Sequence, residues 1–348
     1  MRDLMKKYFP ILFAACLSSG LCAQEQVMNC HFIDMGQGLA VILQFPNGVV
    51  MIDAGSQNPP AATESKKKVL DYLNKFFTNN PQYNWTIDGI IVTHNHYDHT
   101  GSIPAIYDAG NFTIKNIVST KHKVKKEVKR LVRDSSIHNY FVEYPEVLAN
   151  LPNGITNSTI DPIGEHNGVD PEIRIFSGRN KSWRIGTYSN PNYHSLAIKV
   201  KFGDASFLFI GDMQEHSIEY MLQKYSNHLE VFDVDVYQVG HHGSHNATTP
   251  ALLDALSPKI AVISAGHKED QREGSGYDYG HPNEGVIDSL SNRISGHRNP
   301  SINGYAYQGH QNLVNNKTIS SKIYCTCWDG NIVIRSTSNG DYRVMINK

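Results

Sequence analysis

Residues 93–101 read Thr-His-Asn-His-Tyr-Asp-His-Thr-Gly, and no other stretch of the chain restricts its fold as strongly. The stretch follows Gly89, Ile90, Ile91 and Val92, an apolar run with the composition of a buried strand. Four cation-binding side chains, His94, His96, Asp98 and His99, therefore leave the end of one strand together. Alternate residues of an extended segment share a face, so His94 and His96 converge on one ion, and the turn that follows swings Asp98 and His99 toward a second. Imidazole and carboxylate without cysteine suit zinc and also admit manganese or iron. The chain has 17 histidines, and some will cluster by accident. Four residues of ligand type packed this tightly at a strand end are too ordered for that explanation.

The spacing His-x-His-x-Asp-His resembles the signature of the metallo-β-lactamase superfamily. Two further segments, Asp34-Met35-Gly36-Gln37-Gly38 and Met51-Ile52-Asp53-Ala54-Gly55, resemble the opening of the branch that includes the hydrolase domain of the ComEC proteins of DNA uptake. The resemblance runs from Asp34 to the tail, with its motifs in order. It implies an α/β fold, the four-layer αββα sandwich, with a dinuclear site at the sheet edges. It also implies hydrolysis by a metal-bridging hydroxide, with the metals stabilising the developing oxyanion and a histidine or a metal-bound water protonating the leaving group.

Two cations about 4 Å apart repel one another, and a bridging anion offsets the repulsion. Asp212, after the apolar run 207–210, is the candidate bridge, and the superfamily carries an aspartate at a matching strand end. The family also places a metal-binding histidine after the next strand, where this chain has both His241 and His242. One of them would join Asp98 and His99 at the second metal, leaving the other to donate to the substrate. Many superfamily hydrolases have a third histidine for the first metal where this chain reads Asn192-Tyr193-His194-Ser195. The ComEC-like branch has Asn then Ser at that spacing, so either Asn192 or His194 completes the first site. His281, in Gly280-His281-Pro282, has a counterpart in the same branch and would face the substrate. Asp98, His241 and His281 are thus the candidate catalytic residues, and His94, His96, Asp98, His99, Asp212, His241 and His242 the candidate ligands.

Around these motifs, apolar runs predict strands at 30–33, 39–45, 49–52, 87–92, 114–118, 195–200, 205–210, 234–239 and 260–264, with strands again from 173 and in the tail 323–346. Helical spacing predicts helices at 65–77, 101–107, 215–224, 250–256 and 284–290. Residues 121–133 hold seven Lys or Arg with Val124, Val128, Leu131 and Val132 at helical spacing. This is a basic amphipathic helix, either simply solvated or in contact with a polyanion. Residues 134–170, rich in Asn, Pro, Gly and Asp, read as an insertion over the surface, whose His138 and His166 are not ligands.

Arg2, Lys6 and Lys7, the apolar residues 8–21 and the Ala23-Gln24 junction form an export signal, making 24–348 the mature hydrolase domain. A lipoprotein variant anchored at Cys16 is the alternative. No later segment reaches the roughly 20 apolar residues that span a bilayer. Beyond the signal, Cys30, Cys325 and Cys327 are an odd set. Cys325 and Cys327 fall on one face of a strand-like run, packed and not bonded to each other. The expectation is an exported, dinuclear metal-dependent hydrolase, most simply a phosphodiesterase or nuclease. A β-lactamase or other amide or ester hydrolase, or a binding module with a degenerate site, are the alternatives. The net charge of −1 favours no partner class.

Overall fold

The computed structural model describes residues 25–143, 153–179 and 189–347. The export signal, Cys16 and the cleavage junction lie outside the described residues. Three antiparallel strands open the described chain: β1 (Val27–Phe32), β2 (Ala40–Phe45) and β3 (Gly48–Ala54). Helix α1 (Ala62–Asn79) then buries Val69, Leu73, Phe76 and Phe77, whose spacing of three and four residues puts them on one face. A β/α rhythm follows: β4 (Thr86–Ile87), β5 (Gly89–Val92), α2 (Tyr97–Thr100), α3 (Ile103–Asp108), β6 (Thr113–Ile114), β7 (Asn116–Thr120), α4 (Lys126–Arg133) and β8 (His138–Val142). The second half contains β9 (Glu172–Ser177), β10 (Ala197–Phe202), β11 (Ala205–Phe209), α5 (Glu215–Lys224), β12 (Val236–Gln238), α6 (Pro250–Leu256), β13 (Ile260–Ile263), α7 (Gly276–Tyr279) and α8 (Glu284–Ser291). The hairpin β14 (His297–Tyr307) and β15 (Leu313–Ser321), then β16 (Ile323–Cys325), α9 (Thr326–Asp329), β17 (Asn331–Thr337) and β18 (Tyr342–Asn347) complete it.

Two large mixed sheets result, one in the order β18-β17-β1-β2-β3-β5-β7-β8 and one in the order β16-β13-β12-β11-β10-β9. Their inner faces meet in one apolar layer, where Phe32, Leu43, Ile52 and Ile91 of the first sheet join Ile198, Phe207, Phe209 and Val262 of the second. The Phe32 and Phe209 rings stack across it at 6.2 Å. Neighbouring residues on each strand point the other way. Ile42, Met51, Ile90 and Ile117 therefore pack under Val69, Leu73, Ile103 and Val128 of the helices outside the first sheet. Leu208, Tyr237, Ala261 and Ile263 pack under Met221, Leu253 and Ile287 outside the second. The order of layers is helix, sheet, sheet, helix. Strands buried on both faces read as continuous apolar runs, which is why β5 and β13 show no alternation.

Two expectations are corrected, and two elements not expected from the sequence are present. Residues 324–328 are not one strand: β16 ends at Cys325 and the chain turns into α9, bringing the Cα atoms of Cys325 and Cys327 to 5.1 Å. Two steps of a strand would hold them about 6.6 Å apart. The turn permits the disulfide that joins them, and Cys30 is left as a buried free thiol. Residues 134–170 are not merely a surface insertion, because β8 extends the first sheet beside β7, and Ile160 and Ile163 enter the layer between the sheets. The helix expected at 101–107 is α3, and a separate short helix, α2, precedes it, so Asp98 and His99 lie within a helical turn. The hairpin β14–β15 has no clear signal in the sequence. Its polar outer residues and register shifts blur the alternation that marks a strand.

Candidate metal centre

The site forms where β3, β5, β11 and β12 end, at one edge of both sheets. Beyond Val92 the chain cannot continue as a strand, because its backbone is clamped to the neighbouring strand ends. Leu39 N donates to Asp98 O at 2.9 Å, Ser56 N to Tyr97 O at 3.2 Å and Ser102 N to Ala54 O at 2.9 Å. Gly55 makes the approach possible, since any Cβ there would overlap the carbonyl oxygen of Asp98. Asp212 is set by a comparable turn. Gln238 Oε1 accepts from Ile210 N and Gly211 N at 3.1 Å each, and Gly211 adopts φ +52° with no room for a side chain beside Thr93. His241 and His242 follow β12 with φ of +49° and +55°. Two consecutive non-glycine residues in the left-handed region are strained, a cost that concentrates at functional sites.

The two oxygens of Asp212 face two sets of imidazoles. Oδ1 lies 3.1 Å from His99 Nε2 and 3.5 Å from His242 Nε2, and His242 Nε2 is 3.3 Å from Asp98 Oδ2. Oδ2 lies 3.8 Å from His94 Nε2 and 3.8 Å from His241 Nε2, with His96 Nδ1 3.0 Å from His94 Nε2. Donor atoms of Asp98, His99, Asp212 and His242, and those of His94, His96 and Asp212, fall within 4.8 Å of one another. His99 Nε2, His242 Nε2 and Asp212 Oδ1 are buried without a hydrogen-bond partner, even where ion-pair distances are short, because the directions do not suit a hydrogen bond. Orphaned buried polar atoms aimed at one space are what a cation would satisfy. The donor set therefore fits two divalent ions.

Each imidazole of the Oδ1 side is held from behind. Asp53 accepts from His99 Nδ1 at 2.7 Å and from Thr93 N and Oγ1 at 2.7 and 2.6 Å, while His242 Nδ1 donates to Ser264 O at 2.8 Å. Asp53 sits fully buried at φ +57°. Burial pushes its carboxyl up, and the His99 and Thr93 donors pull against that. Burial also opposes charge on His99 and His242. Asp212 with Asp53 nevertheless raises His99 well above its ordinary value, and Asp212 with Asp98 raises His242 to about 10. On the Oδ2 side, burial holds His94 well below its ordinary value and His96 below it. His241 Nδ1 lies 3.0 Å from Asn246 Oδ1, and assigning it as the donor leaves Nε2 with a lone pair, 3.3 Å from Asn192 Nδ2. Asn192 Oδ1 is buried and unpartnered.

His281 stands outside both sets. Gln37 Oε1 accepts from Gly266 N at 3.0 Å, which turns its Nε2 toward His281 Nδ1 at 3.2 Å. His281 Nδ1 is then the acceptor, and the ring's proton sits on Nε2. Burial, with His241 and His242 nearby, keeps this ring neutral, its pKa well below the ordinary value. His194 leaves the site and stacks on His122 at 3.8 Å. His138 and His166 are in neither donor group. The supporting residues Asp53, Gln37 and Asn246 escaped notice as such. Asp53 and Gln37 lie in the two segments that carried the branch resemblance, and nothing marks Asn246.

Residues 33–267 match the profile of the Metallo-beta-lactamase superfamily. ComE operon protein 3 of Bacillus subtilis is 25% identical over 294 residues, covering 81% of this chain and 32% of its own length. Competence protein ComA of Neisseria gonorrhoeae is 23% identical over 264 residues, covering 76% of this chain and 29% of its own. The chain thus spans about a third of the length of these relatives. Among solved structures, the metallo-beta-lactamase fold protein YhfI from Bacillus subtilis is similar with a TM-score of 0.42 and 10% identity, covering 78% of this chain and 94% of that one. Among the described residues no helix is long and apolar enough to cross a membrane. The matched region carries every side chain named at the site except His281, and the chain belongs to the metallo-β-lactamase superfamily, in its competence-protein branch, with a His/Asp cluster suited to metal binding.

Proposed function

We propose that this protein is an exported dinuclear phosphodiesterase acting on nucleic acid, with zinc as its metal. The observation that carries the proposal is the division of Asp212 between two donor sets, Oδ1 toward Asp98, His99 and His242 and Oδ2 toward His94, His96 and His241. Bound there, two divalent cations would supply Lewis acidity and lower the pKa of water toward neutrality. Asp212 offsets their mutual repulsion, and Asp53 and Ser264 fix the imidazole orientations. His281 contributes a neutral Nε2–H donor to charge that develops on the scissile group.

An anionic substrate follows from the charge of the loaded cleft. Two dications give +4, Asp98 and Asp212 on the cleft wall with Asp53 behind His99 give −3, a metal-bound hydroxide gives −1 and Lys125 on the cleft wall gives +1, a sum of +1. A positively charged pocket concentrates phosphodiesters, and the relatives named for competence support a nucleic-acid substrate. The basic start and the Ala23-Gln24 junction support export.

The test is purified protein against bis-p-nitrophenyl phosphate, single- and double-stranded DNA, RNA and a chromogenic β-lactam, each with and without chelator. Chelator-sensitive cleavage of phosphodiesters is expected, with turnover by His281→Ala falling about 10²-fold at unchanged metal content. Cleavage of the β-lactam alone would overturn the substrate class, and a wild-type protein that takes up no transition metal would overturn the enzyme.

A further inference from the structure

The cleft wall built after residue 267 holds an aromatic ring that hydrolysis does not use. Tyr279, the last residue of α7, lines the same cleft of about 550 Å³ as Asp98, Asp212, His241 and His242. It is 39% exposed, among the few large apolar side chains that are exposed in the described residues. Its ring lies 5.7 Å from that of His281, tilted by 34°, and His281 lies 6.2 Å from His242. Two ring contacts thus connect Tyr279 to the metal-binding group.

The side chain is open, but the backbone beneath it is pinned. Tyr279 N donates to Ser275 O at 3.1 Å, and Ser275 caps α7 by accepting from Asp278 N at 3.2 Å. The tip of the β14–β15 hairpin then braces α7 from outside. Gln311 N donates to Tyr277 O at 3.1 Å, Gln311 Nε2 to Asp278 Oδ1 at 3.0 Å and His310 Nδ1 to Asp278 O at 2.9 Å. An exposed ring on a fixed backbone loses little freedom when a flat partner covers it. From the other half of the sandwich, Lys125, which precedes the basic helix α4, lines the same cleft.

We propose that Tyr279 is a stacking platform for one unpaired base of a nucleic-acid strand whose phosphate is held at the cation sites around Asp212, with Lys125 contacting the backbone further along. The proposal rests on the phosphodiesterase reading and adds a substrate class to it, single-stranded nucleic acid. Stacking on an exposed ring tolerates any base but requires a base whose face is free, which a duplex does not offer.

A thymidine oligonucleotide and an abasic sugar-phosphate strand of equal length separate the base from the phosphodiester. The ratio of kcat/KM for the base-bearing strand over the abasic strand should fall about tenfold in Tyr279→Ala and be kept in Tyr279→Trp. Anisotropy with cleavage-resistant phosphorothioate versions of both strands should show the same base-dependent loss of affinity. An equal ratio in wild type and Tyr279→Ala, or equal loss on both strands, overturns the platform. If no phosphodiester is cleaved, the phosphodiesterase reading fails, and the binding measurement still decides whether Tyr279 reads a base. A wild type that binds neither strand overturns both.

Discussion

The two sides of Asp212 are built differently. On the Oδ1 side His99 and His242 have side chains 0% and 3% exposed, and each donates its second nitrogen to a fixed acceptor, Asp53 or the Ser264 carbonyl. On the Oδ2 side His241 is 20% exposed and has only the neutral Asn246 amide behind it, His96 has no such acceptor among the described residues, and Asn192 brings an amide where an imidazole could stand. Cation affinity depends on how firmly ligands are held as well as on their number. We expect the Oδ1 side to bind its ion tightly and the Oδ2 side to exchange.

The largest effect should come from removing what the two sides share. Asp212→Ala is expected to hold fewer than one ion per chain by elemental analysis, with turnover at background; two ions retained would break the comparison outright. Next, His242→Ala should lose the tight ion and His241→Ala only the exchangeable one, read by titration with a chromogenic chelator. Identical metal profiles for the two variants would mean that the adjacent histidines do not serve different oxygens. Asp53→Asn keeps the shape but weakens the hold on His99, so affinity on the Oδ1 side should drop about 10- to 100-fold with little change on the other. Equal weakening of both ions would show that Asp53 supports the whole loop instead.

The smallest effect lies outside the site, yet it bears on any pH series. Burial pushes Asp161 up to about 6, and its Oδ2 accepts from Ile173 N at 3.0 Å while Oδ1 has no partner. A carboxyl whose folded pKa exceeds its unfolded value stabilises the fold at low pH, and that contribution is lost as pH rises from about 4 through 6. Asp161 is partly solvated, so the full shift is discounted, and Asp161→Asn should add on the order of 1 kcal/mol above pH 6 and nothing below pH 4. Urea midpoints across that range check it. A midpoint gain independent of pH would point to packing, not titration.

The sequence displayed this site unevenly. The candidate donors were readable because a metal site draws on particular side chains at strand ends, and residues 93–101 concentrate four of them. The supports were not, because Asp53 and Gln37 act on His99 and His281 across 46 and 244 positions, a relation that no local spacing encodes. That His241 and His242 face different oxygens of Asp212 was not readable either, because it depends on the left-handed backbone at both. Strands with both faces buried were legible from composition. The Cys325–Cys327 turn was missed because Tyr324, Thr326 and Trp328 have strand-forming side chains, and tertiary packing overrides that preference.

Strand β1 lies between β2 and β17, with Val27 opposite Thr337. A chain made amino end first therefore leaves one side of β1 unpaired until β17, about 300 residues later, has also been made. During that interval the unpaired N–H and C=O groups of β1 are a template for any other extended segment. The arrangement gives this sheet a long vulnerable period in its production, and it makes β17 and β18 a closing clasp whose deletion would leave β1 exposed and prone to self-association.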